Sequence, residues 1–283
     1  MDGFVFAAVL FAAACHAGWN AAIKRTLDPL ATTALIALGA GIVALVFAPF
    51  TGLPDRESWP WLIASVIIHL FYFAGLIESY RAGDMGQVYP IARGSAPLMT
   101  ALVTTFYLNE ALNAFGWTGI VLLAAGVLLL SMRGGSDLQK LNSRAVGFAL
   151  FTAVTICIYS VVDGIGARAA GPGKANAYSV WLFIGNAVLV FFYALARKGR
   201  ALAPAMAPYW RSGLAGGGLT MISYGIAIWA MTVAPIAIVA ALRETSVLFG
   251  ALIAVVFLKE PMRRGRIIAA LMIVSGLIFI RLQ

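Results

Sequence analysis

Between Gly3 and Leu282 the sequence falls into about ten apolar blocks, each close to the roughly 20 residues that a helix needs to cross the hydrocarbon of a bilayer. Only short polar breaks separate them, and that pattern leaves few folds open. In lipid every backbone N–H and C=O must find its partner inside the segment or in a closed barrel, and the blocks are continuous rather than alternating, so they read as helices. The expected spans are 3–24, 29–50, 59–81, 86–107, 112–132, 145–168, 177–197, 210–232, 235–257 and 264–282. Their ends carry turn or charge signals: Asp28 and Pro29, Gly52 to Glu57, Gly83 and Asp84, Asn109 and Glu110, Gly171 to Gly173, Pro235, Glu260 and Pro261. With 62% hydrophobic and 11% charged residues there is no room for a sizeable soluble domain, and the fold class is all-α integral membrane, multi-pass.

Charge and motifs narrow the function. The net charge of +9 sits mainly at span ends, where it serves membrane orientation and contact with lipid headgroups; nucleic acid is not an expected partner. Cys15 and Cys157 lie inside apolar blocks and behave as small hydrophobes, with no disulfide or metal site implied. The start, MDGFVFAAVLFAAACHA, lacks a basic leader region and runs on into a full span. No HExxH, GxSxG or CxxC is present, and Gly216, Gly217 and Gly218 lack the lysine and hydroxyl of a phosphate loop. The inventory therefore points away from an enzyme, a metal or a cofactor. The glycine run is suited to close backbone approach or a flexible gate.

The chain repeats itself. Arg93 lies 17 residues before Glu110 in YPIARGSAPLMTALVTTFYLNE, and Arg243 lies 17 before Glu260 in VAALRETSVLFGALIAVVFLKE, an offset of 150 that also relates Gly126 to Gly276. The first spans of the halves align at an offset of 144, which sets Gly3 on Gly147, Trp19 on Asp163 and Lys24 on Arg168. The longest polar break, RGGSDLQKLNSR, lies between them. Residues 1–132 thus form a first five-helix repeat, 133–144 a linker and 145–283 a second repeat. An odd number of spans makes the second copy enter from the opposite side. Inverted repeats of this kind place a substrate site near the midplane between the halves.

Ten spans in two halves, GWNAAIK in the first span, and VYPIARGSAPLMTALVTTFYLNE followed by WTGIVLLAAGVLLLS resemble the EamA family of the drug/metabolite transporter superfamily. The resemblance covers nearly the whole chain. It implies a secondary transporter, for the most part exporting or exchanging small solutes such as amino acids, nucleosides, drugs or sugar derivatives, often driven by protons. The second copy departs from the first, with Arg243 and Glu244 in place of Arg93 and Gly94.

Polar residues inside the spans mark the candidate site, because a charge at the bilayer centre costs at least a few kcal/mol. Arg93 lies between Pro90 and Pro97 and precedes Gly94, so its helix is expected to kink or partly unwind there. Arg243 and Glu244 are neighbours about 100° apart on a helix and can face different partners; they either line a cavity or hold the bundle together. His16, Asn20 and Lys24 share a face, with Trp19 beside them: His16 and Asn20 line a cavity or bond to neighbouring helices, while Lys24 reaches the interface. Tyr159 and Asp163 form the corresponding face in span six, where Asp163 is either a proton carrier or the partner of Arg93 or Arg243. Glu244 is the second proton-coupling candidate. Tyr224, Trp181 and Trp229 lie deep enough to line a cavity or pack the core, whereas Trp59, Trp61, Trp117 and Trp210 read as interfacial. Glu78 and Arg81 are expected to pair at a span end, and His69, one turn before Tyr72, reads chiefly as a packing residue.

The resulting expectation is a transporter of a small polar or amphipathic metabolite, amino-acid-like or similar, in the cell inner (plasma) membrane. Its partners are that substrate and the bilayer, as a monomer or a homodimer. Two alternatives stand beside it: a small-multidrug-type exporter of cationic amphipaths and a non-transporting membrane scaffold. Orientation is contested. Of the 20 Lys and Arg, 4 lie on the side of the termini and 14 opposite, with the deep Arg93 and Arg243 left out, which places the termini outside, whereas the family resemblance implies cytoplasmic termini.

Overall fold

The computed structural model describes residues 1–23, 28–82, 85–132, 143–257 and 264–283, and no strand occurs among them. The helices are α1 (Gly3–Ile23), α2 (Pro29–Thr51), α3 (Trp59–Ala82), α4 (Met85–Tyr107), α5 (Ala114–Met132), α6 (Ser143–Ala169), α7 (Ala175–Lys198), α8 (Leu202–Met206), α9 (Trp210–Val233), α10 (Ile236–Arg243), α11 (Ser246–Phe257) and α12 (Arg264–Leu282). Local chemistry sets several ends. Asp28 caps α2 by accepting from the amides of Leu30 and Ala31, with Pro29 at the first helical position, and Gly52 at φ 69° closes that helix. The break between α7 and α9 is more ordered than a polar linker, because Leu202 and Met206 of α8 turn inward and are buried.

Two expectations are corrected here. Residues 235–257 are not one helix: α10 stops at Arg243 and α11 starts at Ser246. The amides of Glu244, Thr245 and Val247 bond back three residues instead of four, and Thr245 Oγ1 donates to the Leu242 carbonyl at 2.7 Å, so a side chain competes with the helical ladder at the break. Conversely, α4 is uninterrupted through Arg93. The prolines there do not unwind it, so the irregular backbone lies in the second copy.

Partners across the bundle are matched. Helix α5 lies on α12, α2 on α7, α3 on α6, α1 on α9, α4 on α6, and α1 on α10 and α11. Exchanging counterparts of the two halves turns α3 with α6 into α9 with α1, turns α4 with α6 into α10 and α11 with α1, and leaves the α2–α7 and α5–α12 pairs unchanged. This is a two-repeat architecture. Small residues let the backbones meet: a Cβ on Gly39 of α2 would stand 2.0 Å from the Gly213 carbonyl oxygen of α9, and one on Gly119 of α5 would stand 2.8 Å from that of Gly276 on α12. Within the run Gly216 to Gly218, close approach is the role of Gly217, since a Cβ there would stand 2.2 Å from the Ala40 amide.

Polarity is inside out. Large apolar side chains such as Phe4, Phe50, Phe106, Phe192 and Leu271 face outward, while Asp163, Arg93 and Glu244 are buried. Six stretches among the described residues are long and apolar enough to cross a membrane, and one of them, Ala175–Val233, contains both 24-residue helices α7 and α9. At one end of the bundle Glu110 meets Arg168 at 2.6 Å, Asp55 meets Lys174 at 2.6 Å, and Arg281 donates to the Met1 carbonyl. Trp181 belongs to this end rather than to the interior, since its indole donates to the Gly52 carbonyl at 2.9 Å and its ring lies 5.8 Å from that of Trp59. Lys198 with Asp28 at 2.7 Å, and the expected pair Arg81 with Glu78 at 2.8 Å, mark segment ends that face the other way.

Candidate functional site

The buried charges converge where the halves meet. Arg93 of α4, 4% exposed, sets its Nε 2.8 Å from Oε2 of Glu244, 3% exposed, at the break between α10 and α11, and its Nη2 reaches Ser246 Oγ at 3.4 Å. Burial of two charges is tolerable when they compensate each other, and this pair does so by proximity across the two repeats, without hydrogen-bond geometry between Nε and Oε2. The break supplies the position: ending α10 at Arg243 aims Glu244 at α4 and Arg243 elsewhere.

Arg243 goes to aromatic surface. Its guanidinium carbon lies 4.4 Å from the centroid of the Tyr224 ring, a cation–π contact, and the Tyr159 hydroxyl lies beside it. Among the described residues no carboxylate lies within ion-pair distance of Arg243. His16 of α1 is near enough to both arginines to feel their charge. The side chains of Trp19 and Asn20, and all of Lys24, lie outside the described residues.

Asp163 of α6 is fully buried and pairs with phenols rather than with an arginine. Tyr178 of α7 donates to Oδ1 at 2.9 Å and Tyr224 of α9 donates to Oδ2, so both carboxyl oxygens accept. The two copies of the first span therefore differ in use.

Around this carboxyl stands an aromatic cluster. Tyr159 stacks on His69 with centroids 4.3 Å apart and lies 5.5 Å from Tyr72 and 5.9 Å from Tyr224, with Phe183 edge-on to Tyr224 at 6.4 Å. His69 Nδ1 lies 2.9 Å from the Ser65 carbonyl and 3.1 Å from Ser65 Oγ, which ties the ring to its own helix. Ser160 Oγ and Asn186 Oδ1 are buried polar atoms without a hydrogen-bond partner, one turn from Asp163 and from Phe183 on their helices. By contrast, a groove between α2 and α7 opens outward and is lined by Leu38, Leu45, Ile184, Phe191 and other apolar residues, away from the charges.

Of the candidates from the sequence, Arg93, Arg243, Glu244, Asp163, Tyr159, Tyr224 and His16 come together. Tyr178, His69 and Ser246 belong with them and were not singled out for a site. Tyr178 meets Asp163 across the α6–α7 turn, a register no single helix periodicity reports.

Two halves with matched contacts and charges at their junction agree with what related sequences show. The model of the EamA-like transporter family matches residues 3–132 and again 143–282. The chain belongs to the EamA-like transporter family. A curated protein of Sinorhizobium sp, described as an uncharacterized transporter in the cobO 3' region, is 32% identical over 87 residues, which is 31% of this chain and 51% of that protein. The chain thus spans about half the length of that curated relative. A crystal structure described only as that of a protein matches 100% of this EamA chain and 99% of its own with a TM-score of 0.80 at 17% identity, a likeness of fold alone.

Proposed function

We propose that this EamA-family chain is a secondary transporter of the cell inner (plasma) membrane that exports a small polar or amphipathic metabolite by alternating access. On this reading it crosses the bilayer ten times as two inverted five-helix repeats, 1–132 and 145–283, joined by 133–144, with α10 and α11 together making one crossing. Arg93, Arg243, Glu244, Asp163, His16, Trp19, Asn20, Tyr159 and Tyr224 line or gate the path, and Asp163 and Glu244 are the proton-coupling groups.

The observation that carries the reading is the buried Arg93–Glu244 pair at 2.8 Å between the repeats. A purely structural bundle gains little from such a pair, since apolar replacements of similar volume are commonly as stable, whereas a transporter gains an element with two arrangements. The small-multidrug alternative is less well supported, because a cationic cargo needs a carboxylate to receive it and both deep carboxylates already have partners.

The test is solute uptake by proteoliposomes across amino acids, nucleosides, organic acids and cationic dyes, with and without a pH gradient. Movement of at least one class through folded protein is expected. If nothing moves, the transporter reading fails. Accumulation against a gradient by Asp163→Asn protein under a proton force would remove Asp163 from coupling.

A further inference from the structure

We infer that the outward cleft between α2 and α7 is a seat for one anionic phospholipid, with an acyl chain lying in the cleft and the phosphate headgroup held by the cations that follow α7. This function is separate from transport. It needs only that α2 and α7 lie in the bilayer, for which both are long and apolar enough.

The cleft has a plain structural cause. A Cβ on Gly41 of α2 would stand 2.3 Å from the Cβ of Ala187 of α7, so the missing side chain lets the two helices touch and makes a floor. Larger groups stand on either side, Leu38, Ile42 and Leu45 from α2 and Val188, Phe191 and Phe192 from α7, and they leave a space of about 180 Å³ open to the outside. Ile42, Leu45, Val188 and Phe192 are each more than half exposed. From Leu38 to Leu45 the cleft follows α2 for roughly 10 Å. Its length, its direction along the helices and its apolar walls suit a stretch of one acyl chain.

Charge selects the lipid. The run from Arg197 to Arg211 carries Arg197, Lys198, Arg200 and Arg211, all exposed, and no carboxylate. Its one ion pair among the described residues is Lys198 with Asp28 at 2.7 Å, so positive charge is in excess. The run is fixed over the end of the cleft: Leu202 and Met206 are buried in the cluster against which Leu38 and Phe191 also pack. Lys198 lies seven residues beyond Phe191, on the same side of α7 and roughly 10 Å further along it, the offset expected between an acyl chain and its headgroup. The opposite end of the same two helices is balanced, with Asp55 and Glu57 against Arg56 and Lys174. Basic clusters at a membrane edge attract anionic lipid, and only one end of this cleft has such a cluster. A second copy of the chain fits less well, because a twofold partner in the same membrane would set the same cations against each other.

The test is native mass spectrometry of the purified full-length protein in detergent, titrated with phosphatidylglycerol or with phosphatidylethanolamine of the same acyl chains. One phosphatidylglycerol should bind about tenfold more tightly than phosphatidylethanolamine. Arg200→Gln with Arg211→Gln should remove most of that preference and leave phosphatidylethanolamine binding unchanged. Val188→Trp fills the cleft from an exposed position without touching a charge, and should weaken both lipids. Glycerol 3-phosphate, a headgroup phosphate without chains, should not displace the lipid. The comparison of the two lipids on the wild-type protein stands even if a variant does not fold. Equal binding of the two lipids, a preference that survives the double substitution, binding unaffected by Val188→Trp, or displacement by glycerol 3-phosphate overturns the inference. So does a dimer that Val188→Trp dissociates, which would give the cleft to a second copy.

Discussion

The Nε of Arg93 lies 2.8 Å from Oε2 of Glu244, tying the unbroken helix of the first repeat to the broken helix of the second. Removing one partner strands a charge in a low-dielectric interior, so Glu244→Gln should lower stability by about 3–5 kcal/mol. Replacing both, as Arg93→Met with Glu244→Leu, should recover most of that loss while abolishing transport. Denaturation midpoints of the three proteins in one detergent decide the point. Equal losses in the single and double variants would mean that the pair does not act as a unit.

The phenols on Asp163 give a second coupled set. Tyr178→Phe and Tyr224→Phe each delete one donor to a fully buried carboxyl and should each cost about 1.5–3 kcal/mol, the range for hydrogen bonds to charged groups. Adding Asp163→Asn to the doubly substituted protein should restore stability, because the group that needed the donors is then neutral. Thermal unfolding of the set measures this, and a further loss on adding Asp163→Asn would contradict it.

Much of this was legible in the sequence, and the reasons differ by element. Block length and continuity predict the helices, because each span must satisfy its own backbone in lipid, and Asp28 with Pro29 or Gly52 marks ends to within a residue or two. Repeat offsets point to the deep arginines. What pairs with what in the interior was not readable: Asp163 as partner of an arginine was an open reading, and the structure sets it on two tyrosines, one of them beyond the α6–α7 turn. The helix break fell in the copy without flanking prolines, at Thr245 and Ser246, where short hydroxyl side chains compete with backbone bonding. His69 reads as a packing residue from its apolar neighbours alone, and its stacking on Tyr159 depends on α3 meeting α6.

Glycines on one helix should respond in opposite ways. A Cβ on Gly217 of α9 would lie 2.2 Å from the Ala40 amide of α2, backbone that cannot swing aside, whereas one on Gly218 meets nothing nearer than a Val43 methyl at 4.0 Å. Gly217→Ala should therefore destabilise by about 1–3 kcal/mol through forced separation of the helices. Gly218→Ala should be neutral or stabilise by about 0.5 kcal/mol through helix propensity. Melting temperatures of the pair check the contrast, and a stable Gly217→Ala protein would mean that α2 and α9 do not approach as described.

Acid stability should carry the signature of Asp28. Partial burial pushes its carboxyl upward, but the Lys198 ammonium at 2.7 Å and the amides of Ala31 and Leu30 outweigh this and hold it below the usual carboxylate range. A group depressed in the folded state contributes stability above its unfolded value, about 4, and loses it as pH falls through the folded value. Both side chains are a third or more exposed, so the pair is worth only about 0.2–1 kcal/mol. Asp28→Asn keeps the helix cap but not the charge. Its deficit relative to the parent should be present at pH 7 and shrink as pH falls below about 4; a deficit that does not change with acidification would place the effect in the cap instead.

The end of the bundle that bears the termini is latched by Glu110 and Arg168. Glu110 Oε1 meets Arg168 at 2.6 Å and its Oε2 accepts from the Ile236 amide at 2.8 Å, while Arg168 donates to the carbonyls of Met231 at 2.9 Å and Ala234 at 3.2 Å. Two side chains thereby join the α4–α5 turn, the end of α6, the end of α9 and the start of α10, and so span both repeats. Arg168 is 37% exposed, which limits the stability at stake to about 1 kcal/mol. In a two-state opening that amount is still about fivefold in population. Glu110→Gln should therefore leave the melting temperature nearly unchanged while speeding opening at this end. With Cys15 and Cys157 replaced by alanine, a cysteine at the buried Met231 reports the opening through its rate of reaction with a membrane-impermeant thiol reagent. A rise of about fivefold in that rate in the Glu110→Gln protein is expected, and an unchanged rate would leave Glu110 as a structural cap on α10 with no part in gating.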